Sequence, residues 1–211
     1  MVVVLSLTAC RKPDKEPVLT DNGCMNKLSL PVNAHSIDSS DRALVHNLFA
    51  SNGIPDSNYR YHLYVHDTFE TTYTPFTKYD QKTVWVDQYS NGLPVFTNRL
   101  VYIFWDDVLY HGTGELAIST STEVVPKLPL NRLRALFMED VAQFDAERAY
   151  LKDTCLEAEY GYYNVNVDNS KAPVLLDWAW KVTVAGRKYP MAYYWDYGHR
   201  IHYDNGIKIF R

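Results

Sequence analysis

A basic excess is missing from this chain. With 21 Lys+Arg against 25 Asp+Glu, its formal net charge is -4, which argues against nucleic acid, a partner that selects for basic faces. No block of like charge marks it for an anionic membrane surface. The sequence also contains no His-Glu-x-x-His, no Gly-x-Ser-x-Gly elbow and no glycine-rich phosphate loop, which removes the usual signatures of zinc peptidases, serine hydrolases and nucleotide enzymes. The apolar run at its N-terminus, residues 2–7, falls far below the roughly 20 residues of a membrane-spanning helix. Cysteine is sparse, with only 3 among 211 residues.

The remaining composition is that of a globular protein. Hydrophobic residues make up 46% and charged residues 22%, and the length suits one large or two small domains, each with its own core. Aromatic residues stand out at 14%, including 17 Tyr. Tyr-rich β-structure accounts for that number, and an aromatic platform for a ligand is the alternative.

Leu7-Thr8-Ala9-Cys10 follows the apolar run and resembles the bacterial lipobox, in which a signal peptidase cuts before a cysteine that is then lipid-modified. The resemblance implies a signal segment over 1–9, a lipidated Cys10, and an exported protein at the bacterial cell envelope, on the outer membrane or cell surface. The lipid would be its only hold on the membrane. No Lys or Arg precedes the run, and it is shorter than the roughly 7–15 residues of an ordinary apolar leader core. Met1 is therefore expected to lie inside a longer leader. Residues 10–27 place Pro13 and Pro17 among charges with little to bury, as a flexible tether would. Export would put Cys24 and Cys155 in an oxidising compartment, where an even remainder is a candidate disulfide. Two unrelated buried thiols are the alternative.

The ordered chain is organised around residues 84–104, two apolar strand-like runs joined by Ser90-Asn91-Gly92-Leu93-Pro94. Asn-Gly supplies the positive φ of a tight hairpin turn, and Pro94 must sit where no ladder donor is needed. Residues 100–105 are apolar at nearly every position, as a strand covered on both faces would be. Before this hairpin, Asp38, Ser39 and Ser40 are N-cap candidates for a helix carrying the stripe Leu44, Val45, Leu48, Phe49 and stopping at Asn52-Gly53. Strict alternation over 59–66 puts Tyr59, Tyr61, Leu63 and Val65 on one strand face and Arg60, His62, Tyr64 and His66 on the other. After it, Asp106-Asp107 turns into a strand over 108–118.

The pattern then repeats. A helix is expected over 130–150, with Leu130, Leu133, Phe137, Val141 and Phe144 on one stripe and Glu139, Asp140, Asp145 and Glu147 on a solvated face. Strands follow at 162–167, 175–184 and 191–195, with turns at Gly186, Tyr197-Gly198 and Asn205-Gly206. In 175–184, Leu176, Trp178, Trp180, Val182 and Val184 alternate with Asp177, Ala179, Lys181 and Thr183, which assigns the tryptophans to the core. Helix then strands, twice, is an α+β architecture of two tandem subdomains, each a helix packed on an antiparallel sheet. Their expected bounds are 28–125 and 126–211.

Gln88, the run Gly92-Leu93-Pro94-Val95-Phe96, the second apolar strand and Gly114 resemble the fungalysin/thermolysin propeptide motif. The strand holding Trp180 and the closing YYWDYGHRIH with Asp196 are similar to a PepSY domain. The two cover roughly residues 37–206, in the order found in metalloprotease prosegments. Thr97 departs from a frequent family Gly, Asp106-Asp107 from an Asp-Gly turn, and Gly198 follows Asp196 with only Tyr197 between. The resemblance implies structural roles for Gln88, Gly92, Pro94, Val95, Gly114, Trp180 and Asp196. It also implies a free-standing relative of prosegments that inhibits or helps fold an exported metalloprotease, or another envelope protein, in trans.

No residue set calls for catalysis or a cofactor. His62 and His66 share a strand face four residues apart, about 13 Å at a rise of ~3.3 Å per residue, too far to co-ligate one zinc alone. His199 and His202 would point to opposite faces. Asp106-Asp107 and Glu139-Asp140 are adjacent rather than convergent carboxylates. A non-enzymatic protein-binding module is the expected function, and a surface lipoprotein binding glycan or cell-wall fragments through an aromatic-rich sheet is the alternative.

Overall fold

The computed structural model describes residues 22–114, 116–117, 119, 125–169 and 171–207. Cys10 and the signal segment lie outside them. Among these residues the chain is α+β, with a mostly antiparallel sheet and three helices. In order it forms β1 (Met25–Leu28), α1 (Ser39–Ser51), β2 (Tyr59–Glu70), β3 (Lys78–Ser90), β4 (Leu93–Trp105) and β5 (Val108–Thr113). There follow α2 (Leu130–Phe144), a 3₁₀ helix (Ala146–Asp153), β6 (Leu156–Asn164), β7 (Leu176–Val184), β8 (Met191–Trp195) and β9 (Arg200–Asp204). The sheet runs β2-β3-β4-β6-β7-β8-β9, with β5 on β4 and β1 on β6.

The hairpin turn is built as its sequence requires. Asn91 and Gly92 take φ of 50° and 76°, and Ser90 pairs with Leu93 across them. The Asp106-Asp107 turn does the same at 48° and 66°, since Asp is among the few residues that enter the left-handed region, and here Asp106 Oδ1 accepts the Asp80 amide at 3.0 Å and Asp107 Oδ1 the Lys82 ammonium at 2.6 Å. Asp38 caps α1, accepting from the Asp41 amide at 2.8 Å. The helix buries Val45, Leu48 and Phe49 against Tyr59, Tyr61, Val84, Val86, Leu100 and Phe104. Leu44 stands exposed at the edge of that stripe, not on it.

Several expectations need correcting. In β2 a bulge between Tyr61 and Leu63 inserts one residue, so Tyr61 pairs with Val86 and Leu63 already with Trp85. A one-residue slip reverses every later side chain. Tyr64 therefore joins the core, and Leu63 and Val65 emerge on the opposite face, 45% and 40% exposed. Among the described residues no helix covers that face, and Val101, Ile103 and Trp105 of β4 are half-buried rather than covered on both sides. The helix expected to reach residue 150 stops at Phe144, since Asp145 leaves helical geometry at φ -153°, and continues as the 3₁₀ helix. The strand expected over 108–118 is hydrogen-bonded only through Thr113; Ile118 lies outside the described residues. The strand expected at 162–167 begins earlier and ends at Asn164.

A second core lies between α2 and the far half of the sheet, where Leu133, Phe137 and Val141 meet Leu156, Ala158, Tyr160, Trp180, Val182, Ala192 and Tyr194. Asp140 and Asp145, expected in solvent, are buried beside it. Asp140 accepts from the Tyr194 hydroxyl and from Arg200, both at 2.6 Å, and Asp145 pairs with Arg148 at 3.2 Å. β1 begins inside the stretch expected to be tether and pairs in parallel with the first residues of β6. A disulfide joins Cys24 to Cys155 at the same place. Beside it the buried Arg134 donates to the carbonyls of Cys24 (2.7 Å), Thr154 (3.0 Å) and Lys152 (2.9 Å).

β4 and β6 touch through one parallel pairing, Val95 with Tyr162. Gly161 makes the approach possible: a Cβ there would lie 2.4 Å from the Pro94 carbonyl oxygen and 2.9 Å from the Phe96 ring.

Candidate functional site

Paired residues in neighbouring strands share a face, so the register builds the helix-free surface row by row. In the first half one row reads Arg60–Asp87–Arg99 across β2, β3 and β4. Arg60 Nη2 donates to Asp87 Oδ2 at 3.1 Å, and Arg99 Nε and Nη2 both donate to Oδ1 at 3.1 Å. In the second half the corresponding row is Glu159–Lys181–Tyr193 across β6, β7 and β8. The two rows face one cavity of about 440 Å³ over the β4–β6 contact, with Phe96 and Met191 also in its wall.

Burial dominates the electrostatics of this seam. Glu159 is only 6% exposed, and burial raises its carboxyl above the ordinary value against the pull of Lys181 and Arg60. Tyr193 is raised for the same reason. His62, 3.6 Å from Asp87, is lowered by burial, with Arg99, Arg60 and Lys188 adding to the effect and Asp87 opposing it. The Arg60 guanidinium packs over the Tyr89 ring at 5.4 Å, and burial pushes the Tyr89 phenol up to about 12. Arg60 Nε and Nη1 and Glu159 Oε1 are buried without a hydrogen-bond partner. Such groups are rare in folded proteins.

Beyond the charged row, the helix-free side of β2–β5 mixes apolar and aromatic residues with Asp67, Gln81 and Thr83. Leu63, Val65 and Phe69 are exposed along β2. Trp105 stacks with Tyr79 at 4.4 Å, with Phe69 at 5.2 Å and closely with Tyr110. Trp105 also donates Nε1–H to Gln81 at 3.1 Å. β2 ends the strand order, so one of its edges has no neighbouring strand among the described residues.

A second cavity of about 400 Å³ lies beside α1. Asp56 there accepts from the Tyr61 hydroxyl and sits 2.9 Å from His46 Nδ1. Burial works against the Asp56 carboxylate, but the bonds from Tyr61 and His46 hold it below its ordinary value. His35 Nδ1 accepts the Tyr61 amide at 3.0 Å and its ring stacks on Tyr61 at 4.5 Å. Burial lowers His35, with Arg42 next. These contacts tie α1 and its flanking segments to β2, and among the described residues no hydroxyl or thiol nucleophile is hydrogen-bonded to either histidine. Among the described residues no group of three or more His, Cys, Asp or Glu converges as a metal site, and no helix is long and apolar enough to cross a membrane.

The residues singled out from the sequence occupy packing positions in two groups. Gln88, buried, acts as a backbone substitute: its Nε2 donates to the Ala117 carbonyl at 2.6 Å and its Oε1 accepts the Ala117 amide at 3.0 Å. Gly92, Pro94 and Val95 form the hairpin turn and its contact with β6, and Gly114 takes φ 98° after β5. Trp180 and Asp196 meet on the helix side, Nε1 to Oδ1 at 3.0 Å. Asp196 also accepts from the Tyr160 hydroxyl and from the Lys127 and Leu128 amides just ahead of α2.

None of these lies with the seam residues Arg60, Arg99, Glu159 and Lys181, apart from Pro94 and Val95 in its wall. The seam residues carry a faint sequence signal, since Arg60 and Lys181 stand on the polar phase of strands whose other phase is core. No protein family model matches the chain, and neither a curated protein nor a solved structure matches it.

Proposed function

We propose that the protein is a non-catalytic lipoprotein of the bacterial envelope that binds another exported protein in trans, a metalloprotease above all, as an inhibitor or folding helper. The observation that carries this is the helix-free side of β2–β5, an exposed surface rich in apolar and aromatic residues next to an unpaired strand edge. An extended segment of a partner would add to the β2 edge and lay alternate side chains on Leu63, Val65 and Phe69. In this reading the halves 28–125 and 126–211 are tandem FTP-like and PepSY-like units. The two larger cores, one under each helix, are consistent with that, and a smaller cluster of Val95, Ala117 and Tyr162 joins the halves across β4 and β6. Lipid on Cys10 would confine the module with its partner and restore part of the effective concentration that a covalent prosegment enjoys.

The test adds the purified chain to metalloproteases from the same envelope and follows peptide hydrolysis. Inhibition that Leu63→Asp and Val65→Asp abolish supports the reading; unimpeded hydrolysis by every one of them rejects it. Cys10→Ser should release the protein from membranes.

The stacked Phe69, Trp105, Tyr79 and Tyr110 favour a second reading, a glycan or cell-wall ligand on the same surface. Binding to a glycan array that Tyr110→Ala removes would establish it.

A further inference from the structure

The seam cavity has its own chemistry, independent of whether the apolar surface meets a peptidase. We propose that it binds a carboxylate carrying an adjacent apolar group, either the C-terminus of a peptide chain or a free organic acid.

Charge is the first ground. Arg60, Arg99, Lys181, Arg187 and Lys188 line the cavity against two carboxyls, Asp87 and Glu159, in a chain whose overall charge is -4. Asp87 is already engaged by Arg60 and Arg99 at 3.1 Å. Among the described residues Lys181 and Lys188 have no carboxylate within ion-pair distance, and Arg187 reaches the Tyr150 hydroxyl at 3.5 Å. Among the described residues the seam therefore holds more cationic side chains than carboxyls to balance them, and low-dielectric walls strengthen its attraction for an incoming anion.

Glu159 is the second. It is more than nine-tenths buried, faces the cavity, and has an oxygen with no partner. Burial favours its protonated form, which donates a hydrogen bond and suits a second carboxyl beside it. A dianion such as phosphate would instead be forced against both Asp87 and Glu159.

The walls supply the third. Phe96 and Tyr193, with ring centres 5.6 Å apart, and Met191 offer apolar contact next to the cations. A volume of about 440 Å³ lies within the roughly 300–1,000 Å³ of small-ligand sites.

Calorimetric titration of the full-length chain tests this with three probes: N-acetyl-Ala-Ala-Phe with a free carboxylate, the same peptide amidated, and 3-phenylpropionate. Saturable binding of at least one carboxylate probe is expected, and amidation should weaken the peptide about ten- to a hundredfold through loss of a charge-assisted contact. Peptide binding without 3-phenylpropionate binding assigns a chain terminus; comparable binding of both assigns a free acid. Lys181→Gln and Lys188→Gln, neither of which breaks an ion pair among the described residues, should each weaken binding about tenfold with the melting midpoint nearly unchanged. Equal affinity for acid and amide, displacement by sulfate as effective as by carboxylate, or no saturable binding of any probe overturns the proposal.

Discussion

Asp196→Ala should be among the most damaging single changes in this protein. The carboxylate accepts from Trp180 Nε1 (3.0 Å), the Tyr160 hydroxyl (3.1 Å), the Leu128 amide (3.1 Å) and the Lys127 amide, the last spanning both oxygens at 2.9 and 3.1 Å. The two loop amides are part-buried and can turn to water once the acceptor is gone. Trp180 and Tyr160 are buried at these bonds and cannot. Each buried donor left without an acceptor costs about 1–3 kcal/mol. Loosening of the segment that leads into α2 adds to that, for a total of about 3–5 kcal/mol. Asp196→Asn keeps the shape and one acceptor oxygen, so it should cost about half as much, ~1–3 kcal/mol. Urea unfolding followed by tryptophan fluorescence reads both, with the exposed Glu139→Gln as a control expected within about 0.5 kcal/mol of wild type. An Asp196→Ala protein as stable as that control would refute the account of Asp196 as the acceptor holding β6, β7 and the α2 approach together.

Gly161→Ala should destabilise by about 1–3 kcal/mol, because its Cβ meets the Pro94 carbonyl oxygen at 2.4 Å; an unchanged thermal midpoint would show that β4 and β6 do not meet as described. Gly92→Val should cost a similar ~1–3 kcal/mol, through strain at φ 76° alone, since nothing lies within 4 Å of its Cβ position. Protein from an oxidising compartment should yield a linked Cys24–Cys155 peptide by mass spectrometry, and two free thiols would rule the bridge out. Closing a loop with a sequence separation of 131 gives an upper figure of about 5 kcal/mol for its contribution. Glu159 binds its proton more tightly in the folded chain than in the unfolded one, because burial raises its carboxyl. Folded stability therefore falls as pH rises from the ordinary carboxylate value through the raised one. Glu159→Gln removes that fall, so its stability relative to wild type should climb across that window and level off above it, whereas a difference flat from about pH 4 to 8 would exclude the shift.

Local chemistry was readable directly. The Asp38 cap, the Asn91-Gly92 turn, the stripes on α1 and α2 without their exposed members Leu44 and Phe144, and the alternation of β7 each depend on residues within a few positions of one another, and helix and strand periods report them. The α+β class follows from those elements in order, and Cys24 and Cys155 could be paired as the remainder of a count. Leu63 and Val65 could not be placed, because one bulge residue reverses the face of everything after it and leaves no mark in the alternation. Asp140 and Asp145 looked like solvent residues because Tyr194 and Arg200, which satisfy Asp140, and Tyr203, which shares Asp145 with the nearby Arg148, lie more than fifty positions away. β1 was missed for a like reason, its four residues being strand only because β6 offers them an edge.

The candidate site belongs wholly to this second kind. Arg60, Asp87 and Arg99 form a row only through the β2–β3–β4 register, and Glu159, Lys181 and Tyr193 only through β6–β7–β8. What sets the rows beside each other is the Val95–Tyr162 contact, admitted by the absence of a side chain at Gly161. Sequence alone determined which residues were polar and on which phase of their strands they stood. The depth at which Glu159 lost its solvent, and with it its ordinary carboxylate behaviour, was decided by tertiary packing, because desolvation depends on every atom that surrounds a group and not on its neighbours along the chain.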